Sequence, residues 1–392
     1  MTFLLSRQNV FKYLADRGLC DSEDEAKSKV ELKYAKNFNL LLSLSESRKI
    51  LVKQERRDRK GKTAGEFLRE WRIHSFLQEF PELSQISGWV SEVLHYDARE
   101  SIIVFNYLVD YRDLMEFYTK ENIFSTVIAE EIGKILGKIH CRTFNRQEYR
   151  DFLATYEDLK NDSIPNVVSH LERITPEIFG LVPADGLKFF TLYQRYDSLG
   201  TAIAELTAAS CVSCLTHNDL KLNNILLSSS WEQALLKADS PNTSILRLID
   251  WERSCWGDPA FDVGTLIASY LQLWLNSLIT RKEMSIDESL KMATTPLEQL
   301  QPSLVALVSA YFTEFPEILQ HRPDFLNRII QFSGLVLIQQ ILATIQYQKS
   351  FGNTGICMLQ VAKSLLCRPQ ASIPTIFGID ASQLVAKTLV PI

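Results

Sequence analysis

The alternation of apolar and polar residues divides the chain into a short β-rich part and a longer helical part. Residues 31–56 contain two apolar runs separated by a Ser/Glu turn, and "SIIVFNYLV" at 101–109 is rich in branched and aromatic residues, so both segments are typical of strands. Between them, residues 63–80 place their large apolar side chains near helical spacing. A further helix is expected to open near Ser6. The pattern predicts a small N-terminal lobe, residues 1–108, built from a leading helix, an antiparallel sheet and one more helix.

From residue 109 onward the apolar residues recur mainly with the period of a helix, as in 127–140, where they form one face. The predicted elements are helices at 127–140, around 148–160, around 196–209, from Asp258 onward and through most of 282–365, and short strands at 224–228 and 245–249. The chain is therefore predicted to be an α+β protein whose second lobe, residues 109–392, is large and mainly helical.

The overall charge of the chain argues against two classes of partner. A net charge of −5 and a pI near 5.8 give no bulk attraction to nucleic acid or to an anionic membrane. The apolar stretch at 332–346 is expected to be too short, and too often interrupted by Gln, to span a bilayer. We therefore expect a partner that is neither nucleic acid nor a membrane.

The cysteines indicate a reducing compartment. Seven of them are scattered over 392 residues, and an odd, dispersed set favours reduced thiols and a cytoplasmic location. Cys211 and Cys214 have the spacing of a zinc motif, but no second pair or nearby His completes a zinc site. They are interpreted as small apolar residues that lead into a buried strand.

The stretch "LTHNDLKLNNILL" at 215–227 sets polar residues between apolar flanks, as expected of a catalytic loop held between buried strands. Phosphoryl transfer needs a carboxylate to orient the attacking hydroxyl, oxygen ligands for Mg²⁺ and a cation to neutralise developing charge. Asp219 is predicted to be the base, Asn224 a metal ligand and Lys221 a cation that points at the γ-phosphate. His217 is expected to brace the loop.

A second carboxylate follows in "LRLIDWERSCWGDPAFD" at 246–262. Asp250 ends an apolar run, where a hairpin partner would bring it beside Asn224 and create an oxygen-rich site suited to Mg²⁺. Asp262 opens the next helix and is expected to accept backbone hydrogen bonds that brace the catalytic loop.

These two motifs together resemble the aminoglycoside phosphotransferase family, the small-molecule branch of the protein-kinase-like fold. The His-Asn-Asp sequence is also similar to that of choline and ethanolamine kinases, and the resemblance covers roughly residues 30–280. The matching positions are His217, Asp219, Asn224, Asp250, Gly257, Asp258, Pro259 and Asp262. The resemblance implies a bilobal kinase-like fold, ATP and Mg²⁺ as cofactors, and substrate-pocket walls from residues 145–210 and 282–365.

The resemblance also implies an ATP grip in the N-terminal lobe. Lys53 in "KILVKQE" fits the lysine that holds the α- and β-phosphates, and its glutamate partner is expected to be Glu70, with Glu66 one turn earlier as the alternative. Main-chain groups near Asn106 and Leu108 are expected to pair with adenine.

Two features depart from the family pattern. The nucleotide loop "YAKNFN" at 34–39 has no glycine, so either Asn37 and Asn39 adopt the tight turn, or the loop covers ATP differently, or ATP binding has been lost. Trp251 and Glu252 follow Asp250 where regulated protein kinases have Phe-Gly, which argues against a flipping activation switch.

Three functions stay open at this point. The first is a small-molecule kinase that acts on an amino alcohol, a sugar or an aminoglycoside-like compound. The second is a Ser/Thr kinase acting on a peptide, because Lys221 resembles the lysine of the "DLKxxN" motif. The third is a pseudokinase that binds a protein partner at the N-terminal lobe. The basic run at 53–62 could dock an anionic partner, although a solvated loop is the favoured interpretation.

Overall fold

A computed structural model describes residues 3–25, 28–154, 171, 183–236, 244–279, 284, 288–289 and 292–386. The chain forms two compact units. The first comprises Met1–Leu114, Asp151–Lys160 and Asn224–Ser254, and the second comprises Met115–Arg150, Asn161–Asn223 and Cys255–Ile392. The predicted α+β class is confirmed, whereas the predicted helix around 148–160 lies partly outside the described residues.

The described strands are β1 (Lys29–Tyr34), β2 (Phe38–Ser43), β3 (Lys49–Gln54), β4 (Val93–Asp97), β5 (Ile102–Tyr107), β6 (Tyr111–Asp113), β7 (Cys214–Thr216), β8 (Ile225–Ser228), β9 (Leu246–Leu248) and β10 (Cys255–Gly257). The described α-helices are α1 (Val10–Ala15), α2 (Ser22–Glu25), α3 (Glu66–Glu79), α4 (Ser84–Ser87), α5 (Leu114–Glu121), α6 (Thr126–Thr143), α7 (Gln147–Ala154), α8 (Ala184–Tyr193), α9 (Asp197–Ala208), α10 (Trp231–Leu236), α11 (Pro259–Asn276), α12 (Leu297–Glu314), α13 (Glu317–His321), α14 (Phe325–Gln348), α15 (Asn353–Cys367), α16 (Pro369–Phe377) and α17 (Ala381–Ala386). The described residues also form short 3₁₀ turns at Pro81–Leu83, Leu222–Asn224 and Trp251–Arg253.

An antiparallel sheet in the order β1-β2-β3-β5-β4 dominates the first unit. The period-2 alternation of β3 buries Ile50 and Val52 on the face that α1 covers. The opposite face packs on α3, where Phe67 meets Ile103 and Phe105. Lys53 follows Val52 and therefore lies on the α3 side of the sheet.

The two apolar runs predicted as β-structure in residues 31–56 are β2 and β3, which pair antiparallel on either side of the Ser/Glu turn. The mixed-polarity segment "KVELKY" pairs with β2 as a further strand, β1. The leading helix starts at Val10 instead of near Ser6, because Ser6 and Asn9 close a turn in which the Ser6 N–H donates to Asn9 Oδ1 at 2.7 Å. A second sheet in this unit, β6-β8-β9, is also antiparallel.

The second unit is a helical assembly with a two-stranded pairing of β7 and β10. Helices α6 and α12 approach closely at Gly133, where an added Cβ would lie 2.2 Å from the carbonyl oxygen of Leu307. Only a residue without a side chain permits this backbone contact. Helix α11 packs on α14, and α14 packs on α15.

Helix α14 corrects the prediction about membrane-spanning length. The helix extends seven residues upstream of the apolar stretch 332–346, so its 24 residues are long and apolar enough to cross a membrane by length and composition alone. However, 61% of its most apolar window is buried within the protein. A buried core helix passes the same test of length and composition.

His74 on α3 should make stability depend on pH. Burial lowers the pKa of His74 from 6.5 to about 4, and its Nε2 is buried with no hydrogen-bond partner among the described residues. As the pH falls, His74 takes up a proton in the unfolded chain before it does so in the folded protein. The free energy of unfolding therefore keeps its full value above pH 6.5 and decreases between pH 6.5 and 4. We expect urea titrations at pH 7.5 and pH 5 to differ by about 2 kcal/mol more in the wild type than in His74→Gln. Equal pH dependence in both proteins would contradict this.

Candidate active site

The β8–β9 hairpin places the two predicted metal ligands at one end of the second sheet. Ile225 is paired with Leu248, and the next residue, Ile249, donates its N–H to the carbonyl oxygen of Asn224 at 3.0 Å. Asp250 follows directly, and Asn224 is buried. The predicted strand pairing that brings Asp250 beside Asn224 is therefore present.

Asp250 has an unusual backbone conformation. Its φ of 60° and ψ of 57° lie in the left-handed region, which costs a residue other than glycine about 1 kcal/mol or more. The following 3₁₀ turn holds it there, because the buried Trp251 donates its indole N–H to Leu248 at 3.2 Å and its backbone N–H to Glu70 at 3.4 Å. Because these two hydrogen bonds fix the residue after Asp250, this segment does not resemble a flipping activation switch.

Lys53 contacts Asp250 instead of its expected partner. The ammonium lies 2.5 Å from Asp250 Oδ1, and the lysine side chain is only 13% exposed. Glu70 is fully buried on α3, accepts the Trp251 N–H through Oε1, and has no hydrogen-bond partner for Oε2 among the described residues. The predicted Lys53–Glu70 ion pair is thus absent from the described residues. Glu70 Oε1 instead accepts the N–H of the turn that follows Asp250, and Lys53 pairs with the Asp250 carboxylate.

The charges around Lys53 are predominantly acidic. Burial raises the pKa of Glu70 above its ordinary value, and burial together with the charges of Glu66 and Asp250 raises the pKa of Glu252 to about 7. Burial alone would lower the pKa of Lys53, but Asp250 and Glu70 outweigh it and raise that pKa. Because carboxyl groups outnumber the cation here, added positive charge such as a hard divalent ion would be favoured. The oxygen donors of Asn224 and Asp250 fit Mg²⁺ chemically.

The glycine-free loop that was predicted to cover the nucleotide forms a tight turn between β1 and β2. None of the described non-glycine residues with positive φ lies in this turn, so its backbone does not require glycine. Glu66 on α3 holds the turn through an ion pair with Lys36 and a hydrogen bond from Asn37 Nδ2 at 3.5 Å. Asn39 lies in β2 opposite Lys53 and is not part of the turn. Glu66 therefore anchors the loop and does not pair with Lys53.

At Asn106, one of the two positions whose main chain is predicted to pair with adenine, the N–H is bonded within the protein. The Asn106 N–H already donates to the backbone oxygen of Glu92 at 3.0 Å, and its side chain donates to the Glu92 carboxylate at 2.9 Å. Leu108 directly follows β5, and its carbonyl accepts a long hydrogen bond from Tyr111 at 3.4 Å. The adenine contact of the main chain near Asn106 and Leu108 stays a prediction.

In the second unit, Asp262 fixes the start of the catalytic loop. Its Oδ2 accepts the backbone N–H of His217 at 2.7 Å, and its Oδ1 accepts that of Asn218 at 2.8 Å. The side chain of Asp262 is fully buried. These are the backbone hydrogen bonds predicted for Asp262, and they end immediately before Asp219.

Asn218 is a residue whose contribution the sequence did not reveal. Its φ of 60° is positive, and its side chain accepts from Thr216 Oγ1 at 3.3 Å and donates to Cys255 Sγ at 2.7 Å. These contacts stabilise the bend that presents Asp219. Asp219 itself forms an ion pair with Lys221 at 2.6 Å, so the predicted base and the predicted cation contact each other.

Residues 56–62 of the basic run are exposed, and one of them, Asp58, organises this part of the chain. Asp58 Oδ1 accepts the backbone N–H groups of Lys60 and Lys62 at 2.8 and 2.9 Å. Arg57 bonds to the carbonyl oxygens of Gly61 and Arg99. This geometry is that of a solvated loop, while docking of an anionic partner stays a prediction.

Comparison with known proteins identifies relatives of this chain. The family model of the phosphotransferase enzyme family (APH) matches residues 39–283. Among solved structures, an ethanolamine kinase from Plasmodium vivax is 14% identical, with 84% of this chain and 88% of that chain covered and a TM-score of 0.44. A choline/ethanolamine kinase family protein from Mesorhizobium loti is 13% identical, with 97% and 99% covered and a TM-score of 0.49.

The choline kinase LicA from Streptococcus pneumoniae is 17% identical to this chain, with 91% of this chain and 98% of that chain covered and a TM-score of 0.39. No curated protein sequence matches this chain. The evidence for the family is therefore the match of its model to well over half of the sequence.

Proposed function

Since the chain belongs to the phosphotransferase enzyme family, we propose that it transfers the γ-phosphate of ATP, with Mg²⁺, to a hydroxyl group of a small molecule. Membership makes the protein a kinase of the protein-kinase-like fold that acts on a hydroxyl group. The nucleotide, the metal and the class of acceptor are the proposed parts. The ion pair between Lys53 and Asp250, set among buried carboxyl groups, is the observation that supports the nucleotide and the metal most strongly.

Within the first unit, Lys53 would bind the phosphates of ATP, and Asn224 and Asp250 would hold Mg²⁺. Bound Mg²⁺ supplies positive charge that neutralises the phosphate oxygens. Glu70 and the Trp251 N–H fix the turn that carries Asp250, and the main chain of Leu108 would contact adenine. Phosphate binding would then replace the contact of Lys53 with Asp250 by contacts with oxygen atoms of the nucleotide.

Within the second unit, Asp219 would orient the acceptor hydroxyl and take up its proton. The acceptor oxygen then forms a bond to the γ-phosphorus while the bond from that phosphorus to the bridging oxygen of ADP breaks, and ADP leaves. Lys221, now paired with Asp219, would turn to the transferred phosphoryl group. His217 contributes its backbone to the support of the loop.

The acceptor is proposed to be an amino alcohol, a sugar or an aminoglycoside-like compound. The warrant is the His-Asn-Asp sequence at 217–219, which is similar to that of choline and ethanolamine kinases. A screen of choline, ethanolamine, monosaccharides and aminoglycosides beside Ser/Thr peptides, with ADP release as the readout, separates this from the peptide-kinase alternative. Turnover with peptides alone would overturn the small-molecule proposal.

Replacing Asp250 with asparagine should weaken ATP binding only when Mg²⁺ is present. Asparagine keeps the shape but removes the charge that favours a divalent cation. Calorimetric titration should show tight Mg²⁺-dependent ATP binding in the wild type, with Kd raised at least about tenfold in Asp250→Asn and little change without the metal.

Glu31→Gln is a suitable control, because Glu31 is in the same unit and pairs only with exposed Lys29 and Lys33 among the described residues. It should bind like the wild type. If the wild type shows no binding at millimolar ATP, the proposed function fails and the partner-binding pseudokinase becomes the better hypothesis. If Asp250→Asn binds as tightly as the wild type with Mg²⁺, Asp250 is not a metal ligand.

A further inference from the structure

A chain of buried hydrogen bonds leads from the helical core of the second unit to the catalytic loop. The Tyr311 hydroxyl lies 3.0 Å from Nδ1 of His140, and Nε2 of that imidazole lies 3.3 Å from Oδ2 of Asp262. The same Oδ2 accepts the His217 N–H. Tyr311, His140 and Asp262 are all fully buried. Three helices, α12, α6 and α11, therefore converge on the loop through side-chain contacts.

The chemistry of these groups fixes the direction of the hydrogen bonds. An ionised carboxylate only accepts hydrogen bonds, so the hydrogen in the contact with Asp262 belongs to Nε2 of His140. In the neutral ring this leaves Nδ1 as an acceptor, and the Tyr311 hydroxyl donates to it. The hydroxyl thus selects the tautomer that Asp262 requires.

We propose that His140 and Tyr311 are positioning residues for phosphoryl transfer, which act by orienting the Asp262 carboxylate that holds the backbone of His217 and Asn218. The proposal rests on the proposed function. It assigns a task to two residues that contact neither nucleotide nor acceptor in the proposed mechanism. Asp219 lies one residue beyond the backbone that Asp262 holds, so rotation of that carboxylate would displace the base.

The position of the catalytic loop depends on His140 because the Asp262 carboxylate accepts three hydrogen bonds on its two oxygens. Each of its oxygens binds one loop N–H, and Oδ2 also receives the imidazole. Loss of the imidazole donor leaves the two loop N–H groups as the partners of the buried carboxylate and so weakens the constraint on its orientation. One of these donors, the N–H of Asn218, belongs to a residue with a left-handed backbone, whose φ is 60°.

The chain offers an unusually close control for Tyr311. Tyr118 and Tyr270 form another buried pair in the same unit, with their hydroxyl oxygens 2.9 Å apart. Tyr118→Phe removes one buried hydroxyl hydrogen bond, as Tyr311→Phe does, but Tyr118 has no hydrogen bond or ring contact with the catalytic loop among the described residues. A purely structural effect would be similar in both variants.

His140 allows a second matched comparison. The amide nitrogen of glutamine lies near the position of Nε2 and can still donate to Asp262, whereas the amide of asparagine lies near Nδ1 and cannot. Both changes disturb the same buried site. A positioning role predicts that His140→Gln retains more function than His140→Asn, while a structural role predicts equal losses.

The test combines hydrogen exchange of the full chain with kinetics. We expect backbone exchange at His217 and Asn218 to accelerate about tenfold in His140→Asn and Tyr311→Phe, and not in Tyr118→Phe. With any acceptor from the screen that supports turnover, kcat should fall about tenfold in the same two variants while KM for ATP stays unchanged.

Equal exchange in Tyr311→Phe and Tyr118→Phe, or equal losses in His140→Asn and His140→Gln, would overturn the proposal. If the wild type turns over no acceptor, the proposed function fails, while hydrogen exchange still decides whether the network holds the loop.

Discussion

Replacement of Asp219 by asparagine should lower kcat by about 10²- to 10⁴-fold, the usual contribution of a positioned general base. Asparagine can still accept a hydrogen bond from the acceptor hydroxyl, but it cannot take up the proton. Calorimetric binding of ATP with Mg²⁺ should stay close to that of the wild type, because the residues proposed to bind them are Lys53, Asn224 and Asp250. The measurement is the rate of ADP release with an acceptor that the wild type uses.

Asp324→Asn is the control for this change, because that carboxylate is 52% exposed and pairs with Arg322. It removes the same charge outside the catalytic loop and should leave kcat within a factor of two. Retention of more than a tenth of kcat in Asp219→Asn would show that another group accepts the proton. The separation of binding from turnover distinguishes loss of the base from loss of the nucleotide site.

Replacement of Asp258 by alanine should destabilise the protein by about 3–5 kcal/mol, the cost of leaving a buried charge unpaired. Arg328 Nη2 lies 2.7 Å from Asp258, and the two side chains are 3% and 2% exposed. Asp258 also accepts the backbone N–H groups of Cys211 and Ala260, at 3.0 Å each, so alanine removes the cap of α11 as well. Urea unfolding with an unchanged m-value would measure the loss.

Two comparisons separate the effect of the unpaired buried charge of Arg328 from the effect of losing the cap of α11. Asp324→Ala breaks the exposed pair with Arg322 and should cost less than about 1 kcal/mol. Adding Arg328→Met to Asp258→Ala should restore part of the stability, because the unpaired guanidinium is no longer buried. If the double variant is less stable than the single one, the buried charge is not the main cause of the loss.

Prediction succeeded where the information was local in sequence. The strands β8 and β9 have clear apolar runs, so their pairing, and hence the adjacency of Asn224 and Asp250, followed from the pattern. Asp258 before Pro259 marked the start of α11, and its carboxylate indeed caps the helix. The alternation of apolar and polar residues in β3 likewise placed Lys53 on one face of that strand.

Prediction failed where a contact depended on which distant segments meet. Glu70 binds the Trp251 N–H, 181 residues later in the chain, and the position of that turn decided which carboxylate reaches Lys53. At Asn106, in the predicted hinge, the N–H is bonded to the backbone oxygen of Glu92. No local signal carries either fact, because neither residue type specifies its partner.

The sequence by itself determined the class of chemistry. A carboxylate, an amide and a second carboxylate, at spacings that resemble those of the phosphotransferase family, indicate phosphoryl transfer, a chemistry that depends on a small set of oxygen donors. Only the tertiary structure decided how these groups are held. Tyr311 and His140 are 171 residues apart, and only the packing of α6 on α12 brings them together beside Asp262. Such contacts depend on the register between whole helices, which no short stretch of sequence encodes.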